Sequence, residues 1–477
     1  MSSRRVSSQH ITRAIVLALA SASISNAAVT LTGDTNPTNP ASINSSTNLI
    51  VGQNSLGTMT VNGGSSISTA NGFLGYDVGA DGQVTLNGSS SSWINSNALM
   101  VARQEGSSGT LSVSHGALVS TSGLLLDAGL FSTAIATFDG EGTLLASNEV
   151  RLGQSGDGTL KFLNGAQGTT LNLVTAGLTF GSHYDIQITG ANSKWTTGQV
   201  RLSDNGSGSL LISNGGVMDS IKAELISQQQ PSSTNIKIDG AGSLWKINGA
   251  FKTLVGETTI EVLNGGSLVT GNTQLAVEIE NPTNVRLNGP GSSWAANGSI
   301  YNQNGTMRIE NIANVSCNYF DVSSTDTVQS TVITGAGSSL EVLTQLWVGR
   351  TKHTELRVEN GGQLATVNTN VGGDSGYNGL ITITGANSNW FAFGSTGIGD
   401  RLGASALTIA NGGRFDAHGN ITLAEFTNGA GTINLNGGTL NAHGRYIIFG
   451  LGTGTVNFNS GRLEHVSQYT LNLVQNG

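Results

Sequence analysis

The sequence predicts an all-β protein that folds as a parallel β-helix, or β-solenoid, of about 18 coils, with two coils per repeat of about 50 residues. Three observations lead to this prediction: an internal repeat, strands that alternate apolar and polar residues, and glycine concentrated at recurring turns. Glycine accounts for 68 of the 477 residues, whereas charged residues make up only 10%. Collagen is excluded, because the chain has 5 prolines and no glycine at every third position.

Residues 1–27 are predicted to be an export signal. Three arginines form a basic segment before a short apolar run at residues 14–22, and Ala27 ends a small-residue motif after which cleavage is expected. The apolar run is shorter than the roughly 20 residues that a membrane-spanning helix needs. We therefore expect an exported chain, secreted or held at the cell surface, that is not an integral membrane protein. Residues 28–48 are interpreted as a polar N-terminal cap or linker, and residues 49–477 as the solenoid.

The first repeated motif ends in tryptophan. One copy reads Ile-Asp-Gly-Ala-Gly-Ser-Leu-Trp at residues 238–245, and two degenerate copies end in Leu145 and Leu340 instead. The complete copies end in Trp93, Trp195, Trp245, Trp294 and Trp390. These rings could stack on sugars, but leucine keeps only the apolar character of the position, so we interpret them as packed inside the fold.

A second motif, Asn-Gly-Gly, interleaves with the first and divides each repeat into half-units of about 25 residues, the length of one coil. Its asparagines are Asn62, Asn214, Asn264, Asn360 and Asn411, with looser copies around His115, Asn164 and Asn311. Double-coil repeats run to about residue 411, and single-coil repeats follow. Asn-Gly and Gly-Gly supply the positive φ angles that sharp corners require.

The strand before each turn alternates with period two, as in Leu160-Lys161-Phe162, which predicts one buried and one solvated face. Antiparallel hairpins would bring similar strands 8 to 12 residues apart. Here they recur at about 25 residues, which favours coils stacked at about 4.8 Å in a rod on the order of 85 Å long.

At these motifs the chain resembles the type V secretion (autotransporter)/PEP-CTERM-associated repeat of bacterial surface proteins. The copies ending at Trp245, Trp294 and Trp390 match its pattern most closely, and the resemblance covers roughly residues 49 to 465. It implies an exported β-helical passenger or surface filament with an adhesin-like role. Because the repeats continue to about Leu463, we expect neither the family's membrane barrel nor its sorting tail here.

The best aromatic candidates for ligand binding are Trp390, Phe391 and Phe393. Alternation along a strand sends Trp390 to one face and the two phenylalanines to the other, where they would form an exposed pair.

A metal site is a second candidate near the C-terminus. His418 and His443 are 25 residues apart and should stack on successive coils beside Asp416, with Glu464 as the nearest further ligand. An ordinary side-chain ladder explains the same spacing.

The single cysteine, Cys317, is interpreted as a buried or semi-buried thiol, with an intermolecular bond as the alternative. The net charge of −8 argues against nucleic acid as a partner. No P-loop or dinucleotide fingerprint is present, so we expect no cofactor.

These observations favour an exported structural or adhesin-like rod that binds, if at all, through repeated shallow surfaces, with a surface polysaccharide or cell-envelope component as partner. The alternative is a β-helical polysaccharide lyase or hydrolase. Such an enzyme needs acids gathered where the repeat breaks. The irregular stretches are residues 219–234 and residues 311–330, the latter with Tyr319, Asp321 and Asp326, and neither concentrates carboxylates with a basic partner.

Overall fold

The computed structural model describes residues 28–226, 232–254, 256–277, 282–323, 331–373, 376–399, 401–469 and 473–474. The predicted export signal lies outside these residues. The described chain is a β-solenoid of stacked parallel coils, as predicted, but it has about 16 turns rather than 18. The estimate of 18 was too high because it assigned the whole mature chain to coils, whereas residues 28–55 are spent mainly on a cap.

Each coil contains three strands, which we call A, B and C in chain order. The A strands are Leu56–Asn62, Asp81–Asn87, Ser108–Ser114, Thr133–Asp139, Asp157–Leu163, His183–Thr189, Ser207–Ser213, Ser233–Asp239, Glu257–Leu263, Thr283–Asn288, Met307–Glu310, Thr331–Thr334, Thr354–Glu359, Gly379–Thr384 and Ala404–Ala410.

The B and C strands form either one bent strand or two short ones. Single bent strands are Ser92–Val101, Leu118–Leu126, Leu144–Leu152, Gln167–Ala176, Lys194–Leu202, Val217–Leu225, Ser293–Asn302, Asn314–Val322, Ser339–Val348 and Gln363–Val371. Separate pairs are Ser66–Thr69 with Asn71–Leu74, Leu244–Ile247 with Phe251–Thr253, Ser267–Thr270 with Thr273–Leu275, Asn389–Ala392 with Thr396–Ile398, and Arg414–Ala417 with Ile421–Leu423.

The two ends of the described chain depart from this plan. At the start, Ala28–Gly33 pairs antiparallel with the first A strand, and Thr35–Asn36 pairs antiparallel with the first C strand, Asn48–Val51. A 3-10 turn at Pro40–Ser42 is the only helical segment among the described residues, and none of them forms a helix long and apolar enough to cross a bilayer. The last strands are Ala430–Phe449, Thr453–Tyr469 and Leu473–Val474.

Every strand type stacks in parallel on its counterpart one coil away. Leu111, for example, pairs with Val84 of the preceding coil and Ala136 of the following one. The period-two prediction is confirmed, since Leu160 and Phe162 are buried while Lys161 between them lies on the outer face. The inward residues of all three strand types form one continuous apolar core along the rod.

The turn between the A and B strands alternates between two lengths, which explains the 50-residue repeat. Three residues separate Ser213 from Val217, whereas four separate Thr189 from Lys194. The first turn residue has a positive φ and is in most short turns asparagine, as in Asn214 (φ 54°), but in long turns glycine, as in Gly190 (φ 102°).

The first copy requires a correction. The motif predicts that Asn62 corresponds to the other turn asparagines, but it is the last residue of its strand and pairs with Asn87. Gly63 occupies the positive-φ position instead. In the copy at residue 115, His115 takes this position with a φ of 54°.

A buried serine or threonine in each long turn ties two coils together. Ser193 is representative: its Oγ accepts the backbone N–H of Gly165 in the preceding short turn at 2.9 Å and donates to the carbonyl of Thr189 at 2.8 Å. Equivalent residues, each accepting a backbone N–H from the preceding short turn, are Ser91, Thr143, Ser243, Ser292, Ser338 and Ser388.

The motif tryptophans are fully buried, which confirms that they pack inside the fold. Each indole N–H also donates to a buried hydroxyl one coil earlier, at 2.9 to 3.1 Å. The pairs are Trp93 with Thr69, Trp195 with Thr170, Trp245 with Ser220, Trp294 with Thr270, and Trp390 with Thr366. Coils that carry a motif tryptophan, which we call Trp coils, therefore alternate with coils that carry the accepting hydroxyl, which we call hydroxyl-bearing coils.

The two degenerate copies depart from this pairing in different ways. Where Leu340 replaces tryptophan, the position of the hydroxyl in the preceding coil holds Cys317, opposite Val342. Cys317 is buried, as expected, and burial raises the pKa of its thiol to about 12. Where Leu145 replaces tryptophan, the hydroxyl of Thr121 donates to the carbonyl of Asn97.

Candidate functional site

The predicted aromatic pair is only partly placed as expected. Phe391 and Phe393 do face outward, and the Phe393 side chain is 58% exposed. Trp390 is fully buried, where its ring stacks on Phe415 with centroids 4.2 Å apart. The inclusion of Trp390 among the ligand-binding residues was therefore wrong, since alternation places it in the core.

Phe393 begins a column of stacked rings at the bend between the B and C strands. Its ring lies 5.9 Å from that of His418, and His418 lies 4.0 Å from His443, with 17° between the imidazole planes. The stacking of the two histidines on successive coils agrees with their spacing. In this column the faces of His418 are covered by Phe393 on one side and His443 on the other.

Asp416, the third predicted metal ligand, is instead held by an ion-pair network. Arg414 donates to both of its oxygens at 2.7 and 2.8 Å, and Asn441 Nδ2 and His443 Nε2 lie 3.0 Å from Oδ1. Burial opposes ionisation of Asp416, but the hydrogen bonds from Arg414, His443 and Asn441 outweigh it and hold the pKa below its usual value. Glu464 accepts a hydrogen bond from Arg414 at 3.3 Å.

This geometry does not support the metal-site prediction. Imidazole nitrogens direct their lone pairs in the ring plane, so two rings stacked face to face do not converge on one ion. Within the described ranges, no group of three or more histidine, cysteine, aspartate or glutamate side chains is arranged to hold a metal. His418, His443 and Asp416 are therefore reassigned to a side-chain ladder, which was the alternative interpretation.

A different group of side chains gathers on the outer face of three successive C strands. Tyr301, Asp321 and Trp347 are direct register partners on adjacent coils, and Tyr319 lies in the neighbouring column. Arg350 follows on the same coil as Trp347. We call Tyr301, Tyr319, Asp321, Trp347 and Arg350 the aromatic patch.

Contacts between these side chains fix the shape of the aromatic patch. The rings of Tyr301 and Tyr319 are 5.3 Å apart, and the Arg350 guanidinium lies 5.4 Å from the centre of the Trp347 ring. Arg350 Nη1 donates to the Tyr319 hydroxyl at 3.0 Å and to Asp321 Oδ2 at 3.4 Å. One guanidinium therefore connects the aromatic and the acidic members of the patch.

Burial is the main cause of the pKa shifts of Asp321 and Tyr319. Desolvation raises the pKa of Asp321 above its usual value, although hydrogen bonds from Ser323, at 2.5 Å, and Arg350 oppose the shift. Burial, and then the charge of Asp321, raise the pKa of Tyr319 well above its normal range. Tyr319 thus stays a neutral hydroxyl that can donate and accept hydrogen bonds.

Tyr319 and Asp321 lie in an irregular stretch that the sequence marks, but Trp347 and Arg350 were missed. The available signal was that Trp347 is the one tryptophan of six outside the repeated motif. Asp326 and residues 227–231, which belong to the two irregular stretches, lie outside the described residues.

Comparison with known proteins gives no match to a family model, to a curated protein or to a solved structure.

Proposed function

We propose that this chain is an exported rod of the bacterial cell surface with a structural or adhesin-like role, as in the repeat family that its motifs resemble. The observation that carries the proposal is the parallel ladder of about 16 turns, in which each outward position recurs from coil to coil. Such a rod needs no disulfide, because each coil buries its apolar side against its neighbours.

The outer surface suits weak contacts repeated along the rod. Outward columns repeat at about 4.8 Å, so a partner with its own repeat can meet several equivalent positions at once. Linking individually weak contacts in this way raises overall affinity through effective concentration. A surface polysaccharide or another cell-envelope polymer has the required repeating structure.

The alternative, a polysaccharide lyase or hydrolase, is favoured by one feature, the buried Asp321 beside Tyr319 and Arg350. Glycoside hydrolysis normally requires two carboxyl groups on either side of the bond. Among the described residues, the side chains hydrogen-bonded to Asp321 are those of Ser323, Tyr319 and Arg350, none of which is a carboxyl group. We therefore favour the rod.

Export is tested by expressing the full chain and a version lacking residues 1–27 in a bacterium. We expect the full chain to leave the cytosol and to begin at Ala28 when its N-terminus is sequenced, and the shortened chain to remain inside. Retention of the intact full chain in the cytosol would contradict the proposal.

The enzyme alternative is tested on the purified chain with a broad polysaccharide-degradation screen. We expect no turnover. Turnover of any polymer that is abolished in Asp321→Asn would establish the enzyme and overturn the structural role.

A further inference from the structure

We propose that the aromatic patch is a binding site for an uncharged oligosaccharide lying along the rod axis. This inference rests on the proposed function, because it names the ligand class of one part of the rod surface.

The rings lie at a spacing that suits consecutive sugar units. Tyr301 and Tyr319 lie on adjacent coils with centroids 5.3 Å apart, and Trp347 lies one coil further. Coils repeat at about 4.8 Å, which is comparable with the length of one pyranose unit in an extended chain. Aromatic side chains combine an apolar face with a polar edge, which matches a sugar ring with its C–H face and its hydroxyl rim.

The polar groups of the patch are held in place before any ligand arrives. Asp321 is fixed by Ser323 and Arg350, and Arg350 by Tyr319 and Asp321. Both of these Arg350 hydrogen bonds use Nη1, so among the described residues the N–H donors of its other two nitrogens remain available to ligand hydroxyls. Groups ordered in advance lower the entropy cost of binding.

The charge of the patch indicates an uncharged ligand. The Asp321 carboxylate and the Arg350 guanidinium lie 3.4 Å apart and offset each other. An acidic sugar would be repelled by the negative charge of Asp321, and a cationic sugar would be repelled by the Arg350 guanidinium. Because each of the two charges compensates the other, neither is available to attract a ligand of opposite charge.

The extent of the patch predicts a short binding site. The register partner before Tyr301 is Gln274, and the one after Trp347 is Asn370, so the aromatic residues of this column end on both sides. Three coils therefore accommodate about three to four sugar units.

The column of Phe393, His418 and His443 is less suited to this role. Its rings stack on one another, so His418 has no open face for a sugar. Phe180, an exposed aromatic residue outside the patch to which no binding role is assigned, supplies the matched control.

Binding is measured by isothermal titration of the purified chain with neutral tetrasaccharides of glucose, mannose, galactose and N-acetylglucosamine in α and β linkage, and with an oligogalacturonate. We expect at least one neutral member to bind. Trp347→Ala and Tyr301→Ala should each weaken that binding by about tenfold or more, and Phe180→Ala should leave it unchanged. Circular dichroism and thermal unfolding of each variant show whether it is folded.

Trp347 also supplies an internal probe, because the other five tryptophans are fully buried while Trp347 is half-buried. A ligand on the patch should reduce acrylamide quenching of wild-type fluorescence, and Trp347→Phe should remove the quenchable fraction. Protection from quenching by ligand supports the site even if Trp347→Ala fails to fold.

Three outcomes would overturn the inference: no binding by any neutral oligosaccharide at millimolar concentration, binding by the acidic one alone, or binding that both patch variants retain. Export without binding would contradict the aromatic patch alone. Binding by a chain that is not exported would contradict the proposed function and leave the patch in place.

Discussion

Asn302 lies in the core column at the end of the C strand, where its register partners are Leu275 and Val322. It is fully buried, and within the described residues neither its Oδ1 nor its Nδ2 has a hydrogen-bond partner. A buried polar group without a partner destabilises a fold. The position therefore favours an apolar residue of similar size.

We expect Asn302→Leu to raise the free energy of unfolding by about 1 to 3 kcal/mol, as measured by urea denaturation. Asn148→Leu, the same change at an exposed position, should alter it by less than about 0.5 kcal/mol. A less stable Asn302→Leu variant would contradict the prediction and would mean that the amide stabilises the core.

Asp127, at a corner between the C and A strands, makes the free energy of unfolding depend on pH. Burial raises its pKa from 3.8 to about 6, against hydrogen bonds from Ser132, Gly156 and Ser155. The folded state thus holds the proton more tightly than the unfolded state. This contribution to stability is complete below pH 3.8 and is lost as the pH rises through 6.

Replacing Asp127 with asparagine should remove this dependence. Between pH 4 and pH 7 the free energy of unfolding of Asp127→Asn should rise relative to wild type by roughly 1 to 3 kcal/mol. Urea denaturation at both pH values measures the difference. A difference that stays constant with pH would show that Asp127 titrates normally in the folded chain.

At the scale of the element, the long turn depends on a buried serine or threonine that recurs in every copy of the tryptophan motif. Ser193 satisfies two backbone groups that belong to different coils. We expect Ser193→Ala to lower the free energy of unfolding by about 1 to 3 kcal/mol, because the Gly165 N–H loses its acceptor. Ser89→Ala, at an exposed long-turn position, is the matched control. Equal thermal stability of the two variants would contradict this role.

Much of the element scale could be predicted from the sequence. Strand alternation and buried tryptophans follow from residue types, and both are confirmed. The register at Asn62 could not be predicted, because in Asn-Gly-Gly either the asparagine or Gly63 can adopt a positive φ. Only the pairing of Asn62 with Asn87 shows that Asn62 belongs to the strand and Gly63 begins the turn.

The hydrogen-bond partner of each motif tryptophan could not be predicted from the sequence either. Trp245 donates to Ser220, which belongs to the preceding coil. Identifying that partner requires the stacking register of the B strands, which differing turn lengths shift from coil to coil.

At the scale of the whole molecule, unequal coil lengths also hid the aromatic patch. A constant step of about 25 residues would place Asp326 beside Tyr301. The register partner is Asp321, because that coil is shortened, and Trp347 follows 26 residues later. Side chains that meet across three coils of unequal length cannot be matched by a fixed period.

The alternation of coil types predicts how the rod tolerates changes in length. Deleting residues 196–245 removes two coils and leaves a Trp coil above a hydroxyl-bearing one. Deleting residues 218–244 removes one coil and places Trp245 directly on Trp195. Because neighbouring coils supply most of the stability of a solenoid, the second deletion should be the more harmful.

We expect the two-coil deletion to keep a cooperative thermal transition close to that of the wild type, and the one-coil deletion to unfold at a clearly lower temperature. Differential scanning calorimetry of the three chains measures this. A one-coil deletion as stable as the two-coil deletion would show that the coil types are interchangeable.

The antiparallel strand Ala28–Gly33 has a consequence for assembly. It occupies the outer edge of Leu56–Asn62 and runs against it, so a second rod could not continue the parallel ladder through that edge. Two rods could not join there as one coil joins the next. The molecule is therefore directional, and any growth by addition of further coils would proceed away from this strand.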